Sequence, residues 1–320
     1  MKYGHVTGID KPVSRLVQGT VMLFENEPAK SFQLLDEVYS HGCRAFDTAH
    51  SYGGGEKERV LGAWLRERGV RDEIVILGKG AHPEAGRDRR VTPEDIAADL
   101  AESLQRLGVD YIDLYVLHRD DPELPVGPIV EALNEHHRAG KIKAFGGSNW
   151  SYERVRAAND YAAAHGLVPF AVSSPNYSLA TQFEAPWTGC LSISGTQGDE
   201  ARAWYAAQQL PLFTWSSLAG GFFSGRFRRD NLDSFTSGLD KTCIKAYCYE
   251  DNFRRYDRAK ELADKRGLTV PQVALAYILN DPCTVFPLVG CNTGAEFAEN
   301  VVALDVQLTP EERAWLDLRG

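Results

Sequence analysis

Eight short apolar runs, each followed by a segment with helical spacing, constrain the fold of this chain more than any other feature. The runs lie at 13–22, 44–49, 73–80, 111–118, 141–149, 169–178, 210–218 and 283–290, and they predict strands. Stretches such as IVIL and LYVL are apolar throughout rather than alternating, as expected of parallel strands covered on both faces. Helices are predicted over 28–42, 56–69, 92–108, 125–140, 151–166, 199–209, 250–266, 270–280, 294–304 and 309–318. The third carries Thr92 and Pro93 as a start signal and Gly108 as a stop. Right-handed crossovers turn such an alternation into a closed (β/α)8 TIM barrel. We expect one such domain over 1–320, with no linker or repeat and with long loops at 179–198 and 219–250 on the C-terminal face. An open doubly wound sheet is disfavoured, because LVQGTVMLF lacks the G-x-G-x-x-G turn.

Composition narrows the function. A net charge of −9 argues against a nucleic-acid partner. No apolar run reaches the ~18 residues of a membrane span, and the N-terminus has no secretion-signal pattern. The six cysteines include no C-x-x-C pair and read as reduced thiols of a cytoplasmic protein; Cys243 and Cys248 are close enough in sequence to be a redox pair. The histidines show no H-E-x-x-H spacing, so no metal site is expected.

In a barrel of this kind, function lies at the C-terminal strand ends. Those ends carry Gly19, Thr20 and Val21; Asp47 with Tyr52 one loop turn later; Lys79; His118; Ser148 and Asn149; Ser174; Trp215, Ser216 and Ser217; and Gly290, Cys291 and Asn292. Taken alone, Asp47 is an ordinary cap, Tyr52 a packing residue, Lys79 a solvated cation and His118 a core histidine. Converging on one rim, the four suit proton transfer. A phenol titrates near ~10 and is a weak acid at neutral pH. A neighbouring ammonium, held charged by Asp47, lowers that value, and His118 is placed to polarise a carbonyl oxygen. The task is to protonate an oxygen as hydride reaches its carbon, and no side chain supplies hydride.

FDTAHSYGGGE, ILGKG, DLYVLHR and FGGSNW, in this order and spacing, resemble the aldo-keto reductase family over nearly the whole chain. The resemblance implies a barrel that binds NAD(H) or NADP(H) in extended form and acts on a small carbonyl or alcohol (class EC 1.1.1). It implies Tyr52 as proton donor, Lys79 and Asp47 as its tuners and His118 as the substrate-orienting residue. Ser148 and Asn149 match the pair that meets the nicotinamide carboxamide. Ser174 stands where Gln is usual, and Trp215 where an aromatic stacks on the nicotinamide ring. WSSLAGGFFSGRF resembles the pyrophosphate loop, with Ser216, Leu218, Gly220, Ser224 and Arg226 as contacts. GCNTGAEFAEN resembles the adenosine segment, with Glu299 and Asn300 at the adenine.

Where NADP-preferring members often carry Lys and Arg, this chain has Gly290 and Glu296. A carboxylate ~5 Å from a phosphate is repelled by roughly 3 kcal/mol per unit charge pair at an effective dielectric of ~20. NAD(H) is therefore favoured over NADP(H), the ordinary alternative being that Glu296 only faces solvent. Phe24, Trp187, Phe222 and Tyr247 are expected to wall the substrate site, and aromatics among polar groups suit a carbohydrate or polyol. The alternative function is a cofactor-binding regulatory subunit like the channel-associated relatives, and a metal-dependent hydrolase lacks clustered ligands.

Overall fold

The chain begins with a hairpin that the apolar pattern does not announce. In this computed structural model, which describes residues 1–87 and 89–319, β1 (Tyr3–Val6) pairs antiparallel with β2 (Ile9–Ser14). The expected strand 13–22 is split by Ser14. Its hydroxyl donates to the Leu16 carbonyl at 2.8 Å and accepts from the Arg44 and Ala45 amides at 3.1 and 3.0 Å. The chain turns there, and β3 keeps only Val17–Gly19.

Two compact units follow from the contacts. The first comprises Met1–Ser174 and Gly290–Phe297. It holds β4 (Ala45–Asp47), β5 (Val75–Gly80), β6 (Ile112–Leu117), β7 (Ile142–Ser148) and β8 (Val172–Ser174). Between them run α1 (Pro28–Ser40), α2 (Glu56–Arg68), α3 (Pro93–Leu107), α4 (Val126–Arg138) and α5 (Tyr152–His165). The capping chemistry read from sequence is in place: the Thr92 side chain accepts from the Asp95 amide and that of Ser151 from the Arg154 amide. The second unit, Pro175–Val289 with Ala298–Gly320, holds β9 (Leu212–Thr214) and β10 (Val285–Val289). Its helices are α6 (Asp199–Gln208), α7 (Gly238–Tyr247), α8 (Glu250–Arg266), α9 (Val270–Leu279) and α11 (Pro310–Leu316); α10 (Gly294–Val301) begins in the first unit.

β3 to β10 form a closed parallel barrel in the order β10-β3-β4-β5-β6-β7-β8-β9, the (β/α)8 architecture expected. Every residue of β4, β5 and β6 is buried, which explains their unbroken apolar reading. The strands are shorter than their apolar runs, because flanking residues leave the ladder to become loops. The excursion after β9 is not structureless: it contains a 3-10 turn, Ala219–Ser224, and the helix α7. Among the described residues no helix is long and apolar enough to cross a membrane.

Candidate active site

Three neighbouring strands deliver three of the four predicted side chains. Asp47 is the last residue of β4 and pairs with Leu77 of β5. Lys79 lies two residues further along β5, opposite Val116 of β6. His118 leaves β6 with its amide donating to the Gly80 carbonyl at 2.7 Å. Tyr52 opens a 3-10 turn, Tyr52–Gly55, in which Gly53, Gly54 and Gly55 have φ of 57, 60 and 86°. That left-handed run suits glycine and leads straight into α2. The Lys79 ammonium donates to Asp47 Oδ1 and lies 3.4 Å from the Tyr52 hydroxyl and 3.4 Å from the Thr48 carbonyl. The His118 ring meets Tyr52 edge-on, with centroids 5.8 Å apart.

Burial dominates the electrostatics. It works to lower the ammonium of Lys79, but the Asp47 carboxylate and the Tyr52 oxygen outweigh it and hold the lysine protonated to higher pH. Burial likewise raises the Tyr52 phenol, and Lys79 is the strongest opposing influence. This corrects the expectation of a net lowering: desolvation wins, and Lys79 reduces the cost rather than reversing it. The resting phenol is therefore neutral and able to donate. His118 is pushed well below the ordinary imidazole value by burial, then by the cations Lys79 and Arg119, so its ring is neutral. Its Nδ1 is buried without a hydrogen-bond partner. A buried N–H without an acceptor is rarer than an unused lone pair, so the proton belongs on Nε2.

The first unit also holds the predicted nicotinamide-end residues. Ser148 Oγ donates to the Ser174 carbonyl at 2.8 Å, and Asn149, at φ 61°, sends its amide to the same oxygen at 3.2 Å. Asn149 Nδ2 reaches the His118 carbonyl at 3.0 Å and Ser148 Oγ at 3.2 Å, which ties this pair to the histidine's backbone. Ser174 Oγ and Thr20 Oγ1 are buried without partners. The orphaned Ser174 hydroxyl, beside Ser148 in the β7–β8 pairing, fits a ligand that brings its own hydrogen-bonding group, as a carboxamide does. Gly19 is half-buried and Val21 exposed. Gly290 and Asn292 are exposed, whereas Cys291 is buried and its carbonyl accepts from Gln18 Nε2 at 3.0 Å. Glu296 accepts from the Asn292 amide at 2.7 Å while its own amide donates to Thr293 Oγ1 at 3.2 Å, so it caps the start of α10.

In the second unit, Trp215 is half-buried, its carbonyl bound by Asn176 Nδ2 at 3.0 Å and its ring 6.4 Å from that of exposed Trp187. Ser216, Ala219 and Gly220 have φ of 50, 53 and 63°, a tight left-handed course through the predicted pyrophosphate loop. Leu218 is half-buried; Ser224 is exposed and donates to the Gly221 carbonyl at 2.6 Å. The Arg226 guanidinium pairs with Asp240 of α7. Glu299 is exposed, with its carbonyl bound by Gln272 Nε2 at 2.9 Å, and Asn300 is buried.

The expected substrate walls are corrected at two residues. Phe222 is fully buried against Phe223, Phe253 and Tyr256 and walls no substrate site. Tyr247 is also buried, its hydroxyl bound to Asn176 and Gln182 at 3.1 and 3.2 Å. The Ser217 hydroxyl points inward to Thr214, donating to its carbonyl at 2.8 Å, so it offers a ligand only its backbone. Trp187 and Phe24 are exposed, with Lys57 Nζ 3.8 Å above the Phe24 ring.

His82, which no motif marks, packs its ring on His118 with centroids 4.7 Å apart. Its position three residues after Lys79 was the only signal. The structure also gathers His50, Glu84 and Asp99 with ligating atoms within 4.8 Å of one another, a grouping that the histidine spacing did not announce. Arg90 pairs with Glu84 at 2.9 Å and with Asp99 at 2.6 Å, supplying the positive charge there. All six cysteines are free thiols.

Residues 15–317 match the model of the Aldo/keto reductase family. The chain is 30% identical to an aldo-keto reductase of Strobilurus tenacellus, over 88% of this chain and 79% of that one. It is 27% identical to a probable voltage-gated potassium channel subunit beta of Oryza sativa subsp. japonica, over 97% and 94%. An aldo-keto reductase from Klebsiella pneumoniae, solved with NADPH, superposes with a TM-score of 0.72 at 24% identity, covering 99% of this chain and 94% of that one. With its barrel and nearly its whole length accounted for, the chain belongs to the aldo/keto reductase family.

Proposed function

We propose that this protein is an oxidoreductase that interconverts a small carbonyl compound and its alcohol, with Tyr52 exchanging the proton. Members of its family use nicotinamide cofactors and act on small carbonyl substrates. The observation that carries the reading is the chain of contacts from buried Asp47 through Lys79 to the Tyr52 hydroxyl, with neutral His118 beside the phenol. A nicotinamide held there would supply or accept the hydride. His118 Nε2–H orients the carbonyl oxygen and polarises it. As negative charge builds there, the Tyr52 O–H bond breaks and the proton forms the alcohol O–H. The Lys79 ammonium, 3.4 Å away, stabilises the resulting phenolate, which regains a proton from solvent. Asp47 keeps the ammonium charged and in place. In the oxidative direction each transfer reverses.

For the cofactor we propose Ser148, Asn149, Ser174 and Thr20 at the nicotinamide end, on the strength of the orphaned hydroxyls of Ser174 and Thr20. Trp215 is proposed for the ring, and the loop from Ser216 to Arg226 for the diphosphate, where successive amides suit an anion. NAD(H) preference is supported by Glu296, which stands where NADP-preferring members often carry a cation and keeps its carboxylate at the Asn292 amide. A carbohydrate or polyol substrate is supported by the exposed rings of Phe24 and Trp187. Six free thiols support a reducing, cytoplasmic setting.

Steady-state turnover on a panel of aldehydes, ketones and sugars with NADH and with NADPH tests the reading. We expect Tyr52→Phe to lose about 10²- to 10⁴-fold in kcat while cofactor binding, read by protein fluorescence, is retained. Full activity in Tyr52→Phe would rule out its role, and a strong NADPH preference would rule out that of Glu296. The second reading is a regulatory subunit, favoured by the kinship with relatives named as channel beta subunits. It predicts cofactor binding without turnover and a stable membrane-protein partner.

A further inference from the structure

The loop that leaves β5 carries an imidazole that the steps above do not use. His82 packs on His118 with an interplanar angle of 66°, so His118 has the rings of both Tyr52 and His82 against it. The loop is built to hold this imidazole. Ala81, buried and immediately before it, has φ 60°, a left-handed conformation that strains a residue with a Cβ. The Ala81 amide donates to Asp99 Oδ2 at 2.8 Å, and Arg90 Nη1 donates to the His82 carbonyl at 3.0 Å. Arg90 Nη2 and Asp99 Oδ1 are joined at 2.6 Å, both side chains buried. One ion pair thus clamps the strained residue and the histidine together. Strain held so firmly beside a reactive group is the kind of outlier from which a role is inferred.

The two rings are complementary. His82 Nδ1 lies 2.8 Å from the Pro83 carbonyl, which only accepts, so Nδ1 carries the proton and Nε2 keeps its lone pair. That Nε2 has no hydrogen-bond partner among the described residues, and the ring is half-buried. His118 is the reverse case, with Nδ1 unpartnered and its proton on Nε2. A donor and an acceptor therefore sit on two imidazoles in contact. A carbonyl oxygen takes the donor, and a hydroxyl on the adjacent carbon is matched to the acceptor. We propose that His82 is a specificity-determining residue that accepts a hydrogen bond from a hydroxyl on the carbon next to the reacting one. The preferred substrates are then α-hydroxy carbonyl compounds, and the products vicinal diols.

This inference rests on the carbonyl reading above. The test compares 2-hydroxypropanal with propanal, which differ only in that hydroxyl, using the full chain and reduced cofactor. Wild type should prefer 2-hydroxypropanal in kcat/KM by about 10-fold, the scale of one well-formed hydrogen bond. His82→Phe keeps a ring on His118 but no acceptor, so it should lose that preference through a higher KM for 2-hydroxypropanal, bringing the ratio of the two kcat/KM values close to one. His82→Gln retains an acceptor and should recover part of it. If His82→Phe does not fold, His82→Leu makes the same comparison. Equal losses on both aldehydes, or no preference in wild type, would overturn the role of His82 and leave the carbonyl reading standing. Wild type inactive on both aldehydes and on the wider panel would overturn both.

Discussion

The strand ends of the first unit and the long loop of the second differ in how closely side-chain position follows local sequence. At Asp47, Lys79 and His118, the pleat and the register of three adjacent parallel strands fix where each side chain starts. A polar residue ending an apolar strand has few places to go, and these three converge with Tyr52. In the loop after Trp215, through to Tyr247, no strand ladder sets direction. Phe222 follows two glycines in a segment that reads as flexible, yet it is buried among Phe223, Phe253 and Tyr256. Trp187, in an equally irregular stretch, stays half in solvent. Aromatic content alone does not say which loop residue faces a ligand; the partner waiting across the fold does.

This contrast can be tested by substitution. Lys79→Met should be the most damaging, because it leaves the Asp47 carboxylate buried and uncompensated, a cost of about 3–5 kcal/mol. Denaturant titration should also find the Asp47→Asn/Lys79→Met double variant more stable than Lys79→Met alone; a double variant no better than the single one would mean that the pair is not coupled. The wild-type lysine is held above the ordinary lysine value of roughly 10.4. The stability it contributes is therefore fully present below that pH and lost as pH rises through the higher folded value.

Phe222→Ala should cost about 3–5 kcal/mol, as a large ring removed from a core. Its KM for a carbonyl substrate should stay near wild type, whereas a selective rise in KM without loss of stability would return Phe222 to the substrate site. His118 gives a smaller, pH-dependent effect. Its folded value lies below 6.5, so above pH 6.5 no penalty arises, and stability falls as pH drops below 6.5, where the unfolded ring takes a proton first. Thermal unfolding of His118→Asn should show a shallower acid limb, with a residual slope from His82, which burial also lowers. The smallest effect on stability belongs to Arg226→Ala. Its pair with Asp240 is partly exposed and should contribute no more than about 1 kcal/mol. A selective rise in cofactor KM would place the guanidinium at the diphosphate, and an unchanged KM would leave it a surface pair.

Ser217 and Glu296 show what a motif leaves open. Both sit in segments that match a cofactor-binding pattern. One hydroxyl is spent on Thr214 and the other side chain caps a helix, because a short polar group next to an unpaired backbone atom bonds locally first. His82 is the opposite case: an unremarkable residue in sequence, brought to a reactive neighbour by a strained alanine and a buried ion pair.

The amino-acid order alone was enough for the closed alternating barrel, most helix starts and stops, and the four polar groups at or near strand ends. Each of these follows from periodicity, capping chemistry and strand direction, which act over a few residues. The N-terminal hairpin, the inward turn of Phe222 and Tyr247, the upward net shift of the Tyr52 phenol and the seating of His82 on His118 waited for the three-dimensional arrangement. They depend on which atoms from distant parts of the chain exclude water around a group, and no local pattern carries that information.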